Sequence, residues 1–217
     1  MKKGDLIWGL AFVLICAFLL NPSTQKSFIA ITSAHPYIMG FVKFAILATM
    51  GELLAIRIVT ADWNKPVGVI SRAVIWGFLG MVIVLIFKVF AGGVISAQKS
   101  GALPFAGSAF AFAFFTSSIM NLVFAPTMMA FHRVTDTIID LKAETGSNPD
   151  MKDVTDRIDW YGFVSFVVMK TIPFFWIPAH TITFLLPSEF RVLVAAFLSI
   201  ALGAILAFAK KKQPKAA

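Results

Sequence analysis

The chain has 217 residues, 59% of them hydrophobic and only 14% charged, with a mean hydropathy of +0.84. A soluble domain carries about a quarter charged residues, so this composition excludes a soluble globular domain, a disordered chain and a typical nucleic-acid binder. The net charge of +8 sits mostly in short runs between long apolar stretches, where it reports orientation in a bilayer rather than phosphate binding. One cysteine, Cys16, excludes a disulfide framework, a cysteine-based zinc site and a thiol redox pair. The chain reads as an integral membrane protein whose first partner is the lipid bilayer.

A spanning helix needs about 20 mostly apolar residues. Six segments approach or meet that length: Leu6–Leu20, Tyr37–Val59, Ala73–Ile95, Pro104–Phe131, Trp160–Leu186 and Phe190–Ala209. Continuous apolar runs fit helices, because a lipid-facing backbone must satisfy its own hydrogen bonds. The expected fold is all-α, a polytopic helix bundle of five to six spans.

Lys2 and Lys3 before the first run resemble the start of a secretory signal, but Asn21-Pro22-Ser23-Thr24-Gln25 offers no small-x-small cleavage pair, so a retained helix is expected. The chain divides into an N-terminal helix and loop (1–34), a helix bundle (35–209) and a basic tail (210–217).

The fourth run carries Ala109, Ala113, Ser117, Asn121 and Ala125 at four-residue spacing, and the last carries Ala195, Ser199, Gly203 and Ala207. Such small-residue stripes mark helix contacts, within one chain or across a homo-oligomer.

Between the fourth and fifth runs, His132–Asp159 is the largest non-membrane piece. Asn148 and Pro149 suit a helix cap and first turn, and the aspartates after them read as a charged interfacial helix rather than a divalent-cation row. In the fifth run Pro173 and Pro178 remove backbone donors and predict a kink. That kink either lines a cavity, as broken helices do in transporters, or serves packing alone.

Thirteen lysines and arginines, among them Lys2, Arg57, Arg72, Arg133, Lys152 and Lys215, fall on one side of the spans; Lys26, Lys99 and Arg191 fall on the other. The positive-inside rule then puts both termini on the cytoplasmic side of a cell inner membrane, or its equivalent in an organelle. No Gly-rich phosphate loop, His-Glu-x-x-His helix or Gly-x-Ser-x-Gly elbow occurs. His35, His132 and His180 lie at different depths, so neither a histidine metal site, a cofactor nor an enzyme activity is expected.

From His35 onward, Gly51-Glu52, Asp62-Trp63 followed by Arg72, Gly77-Phe78-Leu79-Gly80 with Phe87-Lys88, Asn121 to Pro126, and Trp176-Ile177-Pro178-Ala179-His180 through Thr183-Phe184 to Pro187 and Arg191 recur in order. This pattern resembles the Mpv-type family, small proteins of the mitochondrial inner membrane and the peroxisomal membrane. His180 stands where that family has Gln, Thr183 where it has Asn, Met120 where it has Asp, and the first helix is additional to its four spans. The resemblance implies a channel or pore for small solutes without fixing the solute, and implies that Arg72 and Arg191 are recurrent arginines.

Residues inside the spans sharpen this expectation. Lys43, Glu52, Lys88 and Lys170 are ionisable groups at membrane depth, where each costs about 2.5–3.5 kcal/mol and normally faces the bundle interior. Lys170 lies ten residues past Trp160, roughly 15 Å deep at α-helical rise, too deep to reach the interface. The reading is that Lys170 and Glu52 face one cavity beside Pro173–Pro178, directly paired or water-bridged, with Asn121, His180, Lys88, Lys43 and Thr183 as further lining; a pair that only fixes helix register is the rival. Three positive charges against one negative favour small anionic solutes. Arg72 and Arg191 are expected to be structural charges at span boundaries, and Gly77, Gly80, Ser199 and Gly203 helix-packing positions. A non-conducting scaffold for a membrane complex is the other functional reading.

Overall fold

The computed structural model describes residues 2–212, all helices and connections with no strand among them. Residues 213–217, including Lys215 of the basic tail, lie outside the described residues. We number the helices α1 (Lys3–Leu20), α2 (Pro22–Ala34), α3 (Pro36–Thr60), α4 (Val69–Lys99), α5 (Ala109–Val123), α6 (Ala125–Thr145), α7 (Met151–Arg157), α8 (Trp160–Leu185) and α9 (Ser188–Lys212). Helices α1, α3, α4, α8 and α9 are each long and apolar enough to cross a membrane, and α5 with α6, bent by 44° at their junction, counts as a sixth span if the pair is taken as one. Pro126 explains the bend: it has no N–H to give the carbonyl one turn back and forces the chain to turn at the start of α6.

Helix α3 is the centre, flanked by α4 on one side and α9 on the other, while α5 packs on the second half of α8. The close approaches are made by small residues. A Cβ on Gly80 would overlap the carbonyl oxygen of Gly40, so α3 and α4 cross backbone to backbone, and Gly77 next to it accepts the Phe41 ring. Across the other face a Cβ on Gly51 would sit 3.1 Å from the Ile200 Cα, and one on Gly203 would sit 3.2 Å from the Gly51 oxygen. The stripe containing Ala195, Ser199 and Gly203 thus faces α3. In α5 the stripe from Ala113 to Ala125 is buried, with the Ser117 hydroxyl donating to the Ile177 carbonyl of α8 at 2.7 Å.

Helix α1 buries no residue completely, as expected of a helix surrounded by lipid, yet it is tied to the bundle. Asp5 accepts from Arg57 at 2.7 Å and from the Trp63 indole at 2.8 Å, and the Trp8 indole donates to the Met50 carbonyl at 3.0 Å. Beside it the Lys2 ammonium, with the Trp63 N–H, holds the Asp62 carboxyl below the usual carboxylate range.

Three local expectations are corrected. Residues 22–34 form α2 rather than a loop: Asn21 caps it by accepting from the Ser23 N–H, Pro22 starts it, and Phe28 and Thr32 are its buried face. His132 does not begin a loop, since α6 runs on to Thr145 and ends on Gly146 in the left-handed conformation. The following helix starts at Met151 with Asp150 as its flanking residue, two positions later than Asn148 and Pro149 suggest.

The irregularity announced by Pro173 and Pro178 takes the form of a π-helix over Phe163–Trp176. The Ile177 N–H bonds the Ile172 carbonyl five residues back, a pattern that occurs mostly as isolated single turns.

Candidate functional site

Two cavities lie inside the bundle, and Phe87 of α4 borders both. We call them inner and outer by the ends of the bundle they approach: the inner end carries Lys2, Arg57 and α7, the outer end Lys99 and Arg191.

The inner cavity is about 220 Å³ and is lined by aromatic and methionine side chains from α3 to α6 and α8, together with Ala195, Ser199 and Leu206 of α9. Its polar floor is Asn121 of α5 and His180 of α8, which are 1% and 8% exposed. The His180 Nδ1 lies 3.0 Å from the Asn121 amide nitrogen, which also donates to the Ser117 carbonyl at 2.8 Å. Trp176 stacks on His180 with ring centroids 5.1 Å apart, and its indole N–H is buried without a partner.

At its far end the cavity reaches His132 and Arg133 of α6, where the Trp76 ring lies 4.1 Å from that of His132. Here the charged groups form a network. His132 sits 3.9 Å from Glu52 of α3 and 3.4 Å from Asp136, and the Arg72 guanidinium holds Asp136 at 2.8 Å and Asp140 at 2.6 Å. Arg72 also donates to the Val67 carbonyl at 3.0 Å, so it links the start of α4 to α6 and to its own helix end. Glu52, His132 and Asp136 place three donor atoms within 4.8 Å of one another. That spacing suits a divalent cation, but Arg72 already supplies positive charge on the Asp136 side. One histidine and two carboxylates are therefore brought together, while His180 lies with Asn121 and His35 caps α3.

The outer cavity, about 280 Å³ and open on one side, is lined by α2, α3, α4 and α9. Lys43, Lys88 and Arg191 line it, together with Thr32, Ser33 and Glu189. Lys43 is only 5% exposed and places Nζ 4.7 Å from the centre of the Phe28 ring. Lys88 is exposed at the rim, 5.8 Å from the Tyr37 ring. Arg191 donates to the Leu186 carbonyl at 2.9 Å and lies over the rings of Phe112 and Phe184.

The expected residues therefore fall into two sets. Asn121 and His180 share the inner cavity; Lys43 and Lys88 share the outer one. Two expectations are corrected. Lys170 is exposed and lines neither cavity, and the Lys170–Glu52 pair does not form: Glu52 faces His132 instead. The cause is the π-helix. Its wide turns put Val167, Ile172 and Trp176 inward and leave Met169, Lys170 and Phe174 outward, and an α-helical ruler overstates the height of Lys170. Thr183 is fully buried, but its hydroxyl donates to the Ala179 carbonyl at 2.9 Å and it borders neither cavity.

Sequence reasoning missed Phe28, Thr32, Trp76, Phe87, His132 and Asp136. The signal available was the i, i+4 spacing of His132 and Asp136, which would have paired them had the helix been carried past Phe131. No family model matches the chain, and no curated protein or solved structure matches it either.

Proposed function

We propose that this integral membrane protein is a distant member of the Mpv-type family and forms a gated path for small anionic solutes, without enzymatic activity. The observation that carries the reading is the pair of cavities on either side of one aromatic side chain. Phe87 is 6% exposed and packs 4.9 Å from Phe184 and edge-on to His180 at 5.7 Å. A solute entering the basic outer cavity meets this aromatic layer before it reaches Asn121 and His180. Rotation of Phe87 joins the two spaces; its packed position separates them. Buried polar groups at this depth are costly and gain their use from a solute or water that shares them.

The end bearing Lys2, Arg57, Arg72 and α7 faces the cytoplasm in this proposal, following the basic-residue bias. Cysteines placed at Lys99 and at Ser147 should label from opposite faces of the membrane; labelling from the same face would reverse the topology of the path.

Flux of chloride, phosphate and small carboxylates through proteoliposomes containing the purified chain is the direct test. The wild type should pass anions faster than potassium, and Phe87→Ala should raise the rate. A folded protein that passes nothing in either form is a scaffold, and the path is wrong.

A further inference from the structure

The outer cavity contains a cation with no anion paired to it among the described residues. Lys43 is 95% buried by its 5% exposure, and no carboxylate or hydrogen-bond acceptor contacts its ammonium among the described residues. The Phe28 ring is its one charge-stabilising contact, and a single cation–π contact returns only a fraction of what an ammonium loses on leaving water. Thr32, one helical turn after Phe28, is 9% exposed and its hydroxyl oxygen is buried with no partner. Both residues belong to α2, so this helix forms the wall next to Lys43, with the Phe28 ring on the ammonium and Thr32 on the cavity lining. Arg191 keeps only its Nε–H committed, to Leu186, and Lys88 stands at the rim. Glu189 is half-buried on the lining; it pairs with neither lysine, and its charge acts on Arg191.

Lys43, Thr32 and Arg191, an ammonium, a hydroxyl and a guanidinium on the lining of one space of about 280 Å³, match one chemistry, an oxyanion. Ammonium and guanidinium both make their strongest hydrogen bonds to phosphate or carboxylate oxygens. We propose that the outer cavity binds a phosphate-type oxyanion through Lys43, Thr32 and Arg191, with α2 as the wall that completes the site. The oxyanion is either a free ion or the headgroup of an anionic lipid entering from the outer leaflet. Its role as cargo rests on the path proposed above; its binding does not.

The test uses the full chain in detergent. Equilibrium dialysis with radiolabelled inorganic phosphate should show saturable binding that weakens roughly tenfold in Lys43→Met, the loss of one charge-assisted contact, and to a smaller extent in Thr32→Val. Lys99→Met, an outer lysine away from the cavity, should bind as wild type. If free phosphate does not bind, native mass spectrometry with phosphatidylglycerol separates the second source: a retained lipid lost in Lys43→Met assigns the headgroup. The site is overturned if neither ligand is retained, or if Lys43→Met and Thr32→Val bind as well as wild type. Binding without flux in proteoliposomes would refute only the path, and flux without binding only this site.

Discussion

Around the inner cavity the Arg72 guanidinium is held by Asp136 and Asp140, and His132 stands between Glu52 and Asp136. Across the Phe87 layer, at about the same degree of burial, the Lys43 ammonium meets an aromatic ring and no paired anion. The difference separates two uses of charge within one bundle. A buried charge with partners from two helices fixes the register of those helices, and removing one member leaves the others stranded. A buried charge without partners contributes nothing to the folded state by itself and is explained by what it binds.

Arg72→Met breaks the comparison at its strongest point. It leaves Asp136 and Glu52 facing each other without the cation, and loses the bond to Val67 that ends the loop before α4. Destabilisation of about 3–5 kcal/mol is expected for one partner removed from a buried pair, visible as a collapse in monodisperse yield on size-exclusion chromatography. A normal yield would show that the inner network is not what joins α4 to α6.

Gly80→Val asks how much of the fold rests on backbone contact alone. A side chain there overlaps the Gly40 carbonyl, and α3 and α4 must separate where they cross. A loss of about 1–3 kcal/mol is expected from overpacking, measured as a lower thermal midpoint in detergent; an unchanged midpoint would mean the crossing is looser than its geometry.

Lys43→Met should act with the opposite sign. Methionine keeps the length of the side chain and its contact with Phe28 while removing an unpaired charge, so the protein should gain about 1 kcal/mol in phosphate-free detergent. A lower midpoint instead would reveal a partner for Lys43 and remove the contrast between the two ends.

Much of this architecture was legible in the sequence because membrane helices announce themselves by apolar length, and small-residue stripes by their spacing of four. Asn121 and His180, singled out only as polar residues in apolar runs, turn out to be hydrogen-bond partners 59 positions apart. What was not legible has physical reasons. Helix α2 opens after Pro22 with five polar residues, Ser23 to Ser27, and holds too short an apolar run to register as a span, so its cap, Asn21-Pro22, read only as a poor cleavage site. The continuation of α6 past Phe131 is amphipathic, and an apolar ruler stops where such a helix leaves the hydrocarbon. With that continuation unseen, His132 and Asp136 were placed in a loop away from Glu52.

The remaining failure, Lys170, supplies the smallest expected effect. Its assignment to the interior assumed an α-helix in which each residue rises about 1.5 Å. In the π-helix over Phe163–Trp176 more residues make each turn and each gains less height, so Lys170 is nearer the inner end than its position in the chain suggests. It is exposed between Met169 and Phe174, which are 63% and 80% exposed, on the face of α8 opposite Ile172 and Trp176. From there a long side chain carries its ammonium along the helix to the headgroups. Lys170→Met should therefore change stability by less than about 0.5 kcal/mol and leave phosphate binding and anion flux at wild-type values, whereas Lys43→Met changes all three. Should Lys170→Met alter anion selectivity while the protein stays folded, the solute would pass along the outer face of α8, and the boundary drawn here between the two cavities and the lipid would have to move.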